Sequence, residues 1–386
     1  MHKERVLVAM SGGIDSSVAA VMLHEQDYEV IGITMKTWDY AHSGSSKKET
    51  GCCSLEAMND ARSIAVEMGF PHMILDIRQE FDNHVIQDFT AAYMTGRTPN
   101  PCVLCNTHIK WEALLKRADQ LSCHYIATGH YAKVRQVGSR YVLSKGEDKR
   151  KDQSYALWGV SQDNLRRTLL PLGELTKPAI RAFAQRRGFT DLVNKSESYE
   201  ICFIPDNDYR GFLKHKMPTL TGGLAGGEFV LEDGTVVGQH AGYPFYTVGQ
   251  RKGLGVALGY PVYVTEIQPE KNRVVLGTFD ELARDGMYVH LLNMVKYADL
   301  HGQKTDTITR VRYNDPGTPA VIEQVDGVMK VFFGKGVHAI APGQAAVFYE
   351  GDDVIGGGWI QSSFRQTNRL PYAKPTGYPT ALAAKA

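Results

Sequence analysis

The chain has 386 residues, 43% hydrophobic and 22% charged. That is the make-up of a soluble globular protein too long for one ordinary core, so two or three domains are expected. No run of about 20 apolar residues is available to cross a membrane. Met1–Arg5 and Val6–Met10 lack the apolar stretch and cleavage site of a secretion signal, so a cytoplasmic location without a membrane partner is expected.

The formal net charge of +1 is unevenly spread. Between Lys133 and Lys195 stand 14 Lys and Arg against 6 Asp and Glu, a balance of +8, which leaves −7 elsewhere. One reading is a polyanion contact at the basic middle; the other is an ordinary solvated face of Lys-rich helices. Cys52, Cys53, Cys102, Cys105, Cys123 and Cys202 are too few for a disulfide framework in this length. Their grouping suggests reactivity or a metal.

In chain order, Val6–Met10 and Val30–Met35 read as buried strands, with helical spacing at Asp15–Glu25 and Leu55–Met68. Trp38–Thr50 is polar and reads as an excursion. Strands are expected at His72–Leu75 and Tyr125–Thr128, and helices at Phe81–Tyr93 and Ile109–Leu121. Tyr131–Ser144 alternates around Val137-Gly-Ser139 as a hairpin. Thr176–Gly188 carries the start and stop signals of a helix. Alternation of strand and helix predicts a parallel, Rossmann-like sheet that binds ligands beyond its C-terminal strand ends. After about residue 215 short strands and turns take over: Glu228–Leu231, Val236–His240, Tyr260–Gln268, Arg273–Thr278, then a series from Met287 to Trp359. This predicts small β-barrels. The expected domains are 1–215 (α/β), 216–283 (small central β), 284–370 (C-terminal β-barrel) and a loose tail at 371–386.

Ser11-Gly-Gly-Ile-Asp-Ser-Ser17 follows a strand and opens a helix. Gly12 and Gly13 allow a tight turn and close backbone approach to a ligand. The helix start offers N–H groups and partial positive charge to an anion. Asp15 can cap the helix or hold a magnesium ion against phosphate. The loop lacks the Gly-Lys-Ser/Thr of a Walker loop and resembles the PP-loop of the ATP pyrophosphatases, which split ATP between its α and β phosphates. Met35 and Gly129 end strands on the same edge, beside the expected nucleotide; the plain readings are core methionine and turn glycine.

Thr98-Pro-Asn-Pro-Cys-Val-Leu-Cys-Asn106 is stiffened by two prolines, and a helix is expected to begin near Asn106. A cysteine at a helix start has a lowered pKa. Cys202 lies in Tyr199-Glu-Ile-Cys-Phe-Ile-Pro205. Three readings compete: buried or incidental thiols, a zinc or iron–sulfur site including Cys102 and Cys105, and sulfur transfer through a persulfide and a disulfide. The phosphate loop in the same chain favours the third.

SGGIDSS, TPNPCVLCN, ATGHYA, KDQSY, ICFIP, TVGQRKGLG and PGQAAVFYEGD occur in this order over nearly the whole chain. The sequence resembles the tRNA-specific 2-thiouridylases, which modify the wobble uridine. The resemblance implies a sulfurtransferase that adenylates the uracil C2 oxygen with ATP and then inserts sulfur. It implies Cys105 as nucleophile, Cys202 as persulfide carrier and a Cys105–Cys202 disulfide in the cycle. It implies ATP contacts at Ala9, Met10, Ser11, Gly12, Gly13, Ile14, Asp15, Ser16, Met35 and Gly129, with Mg2+ accompanying the nucleotide. Asn100, Pro101 and Cys102 would surround the target base. His130, Lys151, Asp152, Gln153, Arg312, Tyr313 and Gln344 would touch tRNA. A cysteine desulfurase or sulfur-relay protein would supply sulfur, and no permanently bound metal is implied. Many relatives carry Asp where this chain has Cys102, which places a third thiol beside Cys105. The alternatives are an iron–sulfur-dependent thiolase of the same fold, a PP-loop amidotransferase or synthetase, and a non-catalytic tRNA-binding module.

Overall fold

Val6-Leu-Val8 is buried on both faces, as the middle strand of a covered parallel sheet must be. This strand, β1 (Arg5–Ala9), pairs in parallel with β2 (Glu29–Lys36), which pairs with β3 (His72–Asp76). On its other side β1 pairs with β4 (Tyr125–Ala127). The chain then leaves the sheet as the expected hairpin, β5 (Ala132–Val137) and β6 (Arg140–Lys145), and returns as β7 (Thr168–Leu169) beside β4. The order β3-β2-β1-β4-β7 changes direction at β1. The crevice over the C-terminal ends of β1 and β4 is therefore the natural ligand site.

The computed structural model describes residues 3–38, 54–195, 201–204, 206–218 and 222–365. Cys52, Cys53, most of the polar excursion, part of Tyr199–Pro205 and the expected tail lie outside the described residues.

Helix α1 (Ile14–Glu25) follows β1, and α2 (Leu55–Met68) opens on a Ser54 cap that accepts from the Ala57 N–H at 3.1 Å. Residues 78–94 form one helix with a π-helical middle, and residues 101–120 form another. The second corrects the expected start near Asn106. Asn100 caps it, its Oδ1 accepting from the Val103 N–H at 3.4 Å, and Pro101 takes the first position. Both are ordinary start signals. It is therefore Cys102 that occupies the first turn. Cys105 opens the π-helical stretch Cys105–Trp111.

Four strands form the central sheet: β8 (Gly227–Leu231), β9 (Val236–His240), β10 (Tyr263–Gln268) and β11 (Arg273–Gly277), in the order β10-β11-β8-β9. Then β12 (Ala283–Met294), β13 (Thr305–Arg310), β14 (Thr318–Val325), β15 (Val328–His338), β16 (Ala345–Glu350) and β17 (Asp353–Phe364) close through a β12–β17 pairing into a six-stranded barrel. The expected class, an α/β domain followed by two small β domains, is the observed one. Gly356-Gly-Gly358 lies inside β17, where a Cβ on Gly357 would come within 2.7 Å of the Trp158 indole.

The parts share cores and charges. One buried cluster joins Phe229, Val264 and Leu276 of the central sheet to Phe81, Phe89, Cys105 and Phe203. The β5–β6 hairpin extends the barrel sheet through a Ser144–Asp353 pairing. Arg135 and Lys149 reach Asp353 and Asp352 at 2.8 Å each. Lys195 pairs with Asp60, and Arg187 with Glu25. Much of the basic middle is thus matched to acids elsewhere in the chain. Solvent-exposed pairs of this kind contribute little stability each, so they act chiefly to fix register between parts.

His290 of β12 is buried, and burial with a lesser push from Arg97 lowers its pKa from 6.5 to about 4. Unfolded chains take up this proton from pH 6.5 downward, whereas the native ring resists until about 4. The contribution is complete above pH 6.5 and is lost as pH falls toward 4. Denaturant titrations should show wild type losing about 2 kcal/mol more than His290→Gln between pH 7.5 and 5. Equal losses would refute the assignment.

Candidate nucleotide and thiol site

The loop after β1 is held by its own side chains. The Ser11 N–H donates to Ser16 Oγ at 3.0 Å, and Ser16 Oγ donates to the Gly13 carbonyl at 3.1 Å. Met10 is fixed through its N–H to Ile33 O and through its carbonyl, which accepts from Thr34 Oγ1, both at 2.8 Å. Gly12 has φ +69 and packs onto the start of α2. Gly129, just past β4, lies against the first turn of α1: a Cβ there would be 2.7 Å from Ser16 N. Two motifs far apart in sequence thus frame one crevice at the topological switch. Met35 is partly buried at the end of β2, packed against two of the core clusters.

Asp15 is engaged by two residues that sequence reasoning missed. Tyr131 Oη donates to Asp15 Oδ1 at 2.6 Å, and Lys177 Nζ lies 2.8 Å from both carboxylate oxygens. Among the described residues no group of three His, Cys, Asp or Glu side chains could hold a metal ion. A magnesium ion accompanying ATP needs only one or two carboxylates besides phosphate oxygens; Asp15 is the carboxylate of the loop, and it would meet the ion by sharing oxygens that Lys177 and Tyr131 hold here.

Cys105 is buried in the cluster that also contains Phe203 and Ile204, the residues after Cys202. Phe203 is boxed by Trp38, Phe81, Phe89 and Phe212, with ring centres 5.2 to 6.2 Å away. Such a box fixes the backbone on which Cys202 is carried, while Cys202 itself is exposed. Cys102 is reachable by solvent yet surrounded by protein. Burial pushes its thiol up, and Lys110 offsets part of that push. At neutral pH Cys102 is therefore a neutral thiol. His130 feels the same two influences, which hold it well below 6.5 and neutral; its Nδ1 lies 2.7 Å from Thr128 Oγ1. His130 follows Gly129, and its ring packs 5.6 Å from that of Trp111, so the helix carrying Cys102 and Cys105 lies beside the end of β4.

The barrel closes the other side. Gln344 Nε2 donates to the carbonyls of Thr98 and Pro99 at 3.3 and 2.7 Å, holding the segment before Asn100 and Pro101. Tyr313 Oη donates to the Asp152 carbonyl at 3.3 Å, and Gln153 Oε1 accepts from the Tyr131 N–H at 2.9 Å. Arg312 is exposed, with Nη1 3.3 Å from the His338 carbonyl. Lys151 is partly buried and close enough to Tyr313 for its charge to act on the phenol. The Asp152 carboxylate points inward and accepts from the Gly146 and Ser154 N–H groups, Ser154 Oγ and Arg310 Nη1 at 3.0–3.3 Å. Arg310, two positions from the residue singled out by sequence, is the barrel arginine engaged in this cluster. Asp152→Ala would leave the largely buried Arg310 guanidinium without its carboxylate, and urea denaturation should show a loss of about 3–5 kcal/mol. A loss under 1 kcal/mol would show that Asp152 has no structural role.

Residues 4–206 match the family described as "tRNA methyl transferase HUP domain", 210–278 its PRC-barrel domain, and 284–360 "Aminomethyltransferase beta-barrel domain". A protein called tRNA-specific 2-thiouridylase MnmA in Amoebophilus asiaticus is 74% identical over 95% of this chain and 97% of its own length. The chain belongs to the tRNA-specific 2-thiouridylase family. Members from Cytophaga hutchinsonii and Salinibacter ruber are 69% and 57% identical over 94% and 93% of this chain, covering 99% and 94% of their own lengths. The matched domains divide the site: the phosphate loop and Cys102, Cys105 and Cys202 fall in the first matched segment, and Arg312, Tyr313 and Gln344 in the third. No helix among the described residues is long and apolar enough to cross a membrane.

Proposed function

We propose that this chain is an ATP-dependent tRNA-uridine 2-sulfurtransferase acting on the wobble uridine in the cytoplasm. The observation that supports the reading is that the residue after Gly129, His130, packs with its ring 5.6 Å from Trp111 of the helix that carries Cys102 and Cys105. Ala9 to Ser16, Met35 and Gly129 bind ATP, with Asp15 holding the accompanying magnesium ion. The uracil C2 oxygen attacks the α-phosphorus, the N3 proton passes to solvent water, and pyrophosphate leaves. The base must first leave its stack, because C2 is inaccessible within it. Asn100, Pro101 and Cys102 receive it, while His130, Lys151, Gln153, Arg312 and Tyr313 line the approach of the tRNA. Asp152 and Gln344 shape that surface from within.

The terminal sulfur of a Cys202 persulfide then attacks C2 and AMP departs. The Cys105 thiolate attacks Cys202 Sγ, which forms the Cys105–Cys202 disulfide and leaves sulfur on C2. In a second route, Cys105 attacks first and the hydrosulfide released attacks C2. Both routes consume two electrons per turnover, so an external thiol reductant must reset the disulfide. A cysteine desulfurase or a sulfur-relay protein reloads Cys202.

The test is mass analysis of tRNA nucleosides after reaction with ATP, a desulfurase, cysteine and a reductant. Wild-type enzyme should yield a 2-thiouridine nucleoside, AMP and pyrophosphate. Absence of the thionucleoside would sink the proposal. A second reading is favoured by one observation: Cys102 and Cys105 stand three positions apart on one helix, a spacing that puts both on one face. An iron–sulfur cluster there would need ligands beyond these two thiols, and would appear as visible absorbance in anaerobically purified protein, lost in Cys102→Ser.

A further inference from the structure

Cys102 makes no bond in the sulfur transfer proposed above, yet the fold sets it beside Cys105. Asn100 and Pro101 open the helix, so Cys102 stands in its first turn and Cys105 three positions further on. The Cys105 N–H donates to the Cys102 carbonyl as well as to that of Pro101. A bond to the residue three back is the 3₁₀ pattern, which brings the two side chains toward eclipse. Helix neighbours three apart have Cβ atoms about 5–6 Å apart, against about 4 Å in a disulfide. A first turn can give that much, because its N–H groups have no helical carbonyl to hold them. The two thiols differ in access. Cys105 is 9% exposed and packs in the cluster of Phe81, Phe89 and Phe203, whereas Cys102 is exposed. A Cys105–Cys202 disulfide therefore has one end in the core. A reductant enters it at Cys202 and, on attack, stays bonded to the persulfide carrier.

We propose that Cys102 is a further catalytic residue, the resolving thiol that moves the disulfide off Cys202 once sulfur has been delivered. The inference rests on the proposed Cys105–Cys202 disulfide. The Cys102 thiolate, its proton given to water, attacks Cys105 Sγ. The Cys105–Cys202 bond breaks, a Cys102–Cys105 bond forms, and Cys202 leaves as a thiolate that can take a proton back from water. This exchange neither consumes nor releases electrons. An external dithiol then attacks the exposed Cys102 Sγ, Cys105 leaves, and the dithiol closes to its own disulfide, supplying the two electrons of the turnover. Cys202 is meanwhile available for reloading with sulfur. Burial keeps Cys102 a neutral thiol at rest, so the exchange draws on a small thiolate fraction and follows sulfur transfer rather than competing with it.

The experiment loads full-length enzyme with persulfide from a desulfurase and cysteine, removes both, and adds tRNA, ATP and magnesium without reductant. After one turnover the thiols are alkylated with N-ethylmaleimide, and peptides are mapped by mass spectrometry without reduction. In wild type the peptide holding Cys102 and Cys105 should carry an internal disulfide, and Cys202 should be alkylated. In Cys102→Ser and Cys102→Ala the Cys105 peptide should instead be crosslinked to that of Cys202. With a dithiol present, the steady-state rate of each variant should fall at least about tenfold below its own first turnover, a drop absent from wild type. A Cys102 that only lines the base site would lower both phases in step, and that result would overturn the proposal. A wild-type Cys105–Cys202 crosslink with Cys102 alkylated would overturn it too, and this reading needs no variant to fold. Nucleoside analysis of the same wild-type sample separates the two levels. An absent thionucleoside refutes the proposed reaction, while a thionucleoside with Cys102 alkylated refutes the role of Cys102 alone.

Discussion

Cys202→Ser is expected to reduce 2-thiouridine formation at least ~10³-fold while tRNA-dependent release of pyrophosphate continues. Serine is close in size, so the fold should tolerate it. Cys202 is exposed, and the segment is anchored by Phe203 in its aromatic box rather than by the thiol. What serine cannot do is carry a persulfide. Adenylation precedes sulfur transfer in the proposed order, so the ATP half-reaction should survive. Pyrophosphate release can be followed by a coupled assay and the thionucleoside by mass spectrometry on the same sample. Full thiolation by Cys202→Ser would reject sulfur transfer through this residue and favour a PP-loop enzyme using another nucleophile. Cys105→Ser should give the same split, because the buried thiol is needed to cleave the persulfide. Cys105→Ser retaining single-turnover thiolation would confine Cys105 to resetting the cycle.

Gly12→Ala is expected to destroy ATP binding and to destabilise the α/β domain. Its backbone has φ +69, where a side chain costs about 1–2 kcal/mol. A Cβ would also sit 2.0 Å from the Ala57 carbonyl oxygen and 2.6 Å from Ala57 Cα. These are backbone atoms in the first turn of α2, and they cannot rotate away as a side chain would. Either α2 or the loop must move. Overpacking of this kind adds about 1–3 kcal/mol. Gly13→Ala is the control: its φ is −94, and its nearest neighbour would be Ser11 Oγ at 3.6 Å. Nucleotide titration and thermal melts of the two variants should differ sharply. Equal, mild effects in both would mean that the loop's packing on α2 is not what fixes its shape.

Local features of the α/β domain were legible in the sequence because they are local physics. The loop at Ser11–Ser17 is a turn followed by a helix start, and its glycines are required by a backbone path a few residues long. The helix at 101–120 was also legible in kind. Its start was misplaced because Asn100 and Pro101 were read as a rigid approach rather than as cap and first turn. That shift matters chemically: Cys102, not Cys105, occupies the first turn, and its thiol is pushed up rather than down. The basic middle was visible as a number, but its partners were not. Asp352, Asp353, Asp60 and Glu25 lie outside that segment, so no window of sequence could show that the charges meet.

The sequence by itself determined the fold class, the phosphate loop and which cysteines stand in motifs. Each of these is written in spacing, periodicity or residue type along a short stretch. The tertiary structure alone decided that Lys177 and Tyr131 hold Asp15, that Arg310 rather than Arg312 meets Asp152, and that Gln344 holds the segment leading into the thiol helix. The physical reason is the same in each case. Hydrogen bonds and ion pairs act over about 3 Å. Packing of the sheet, the thiol helix and the barrel brings these groups together, and distance along the chain carries no record of it.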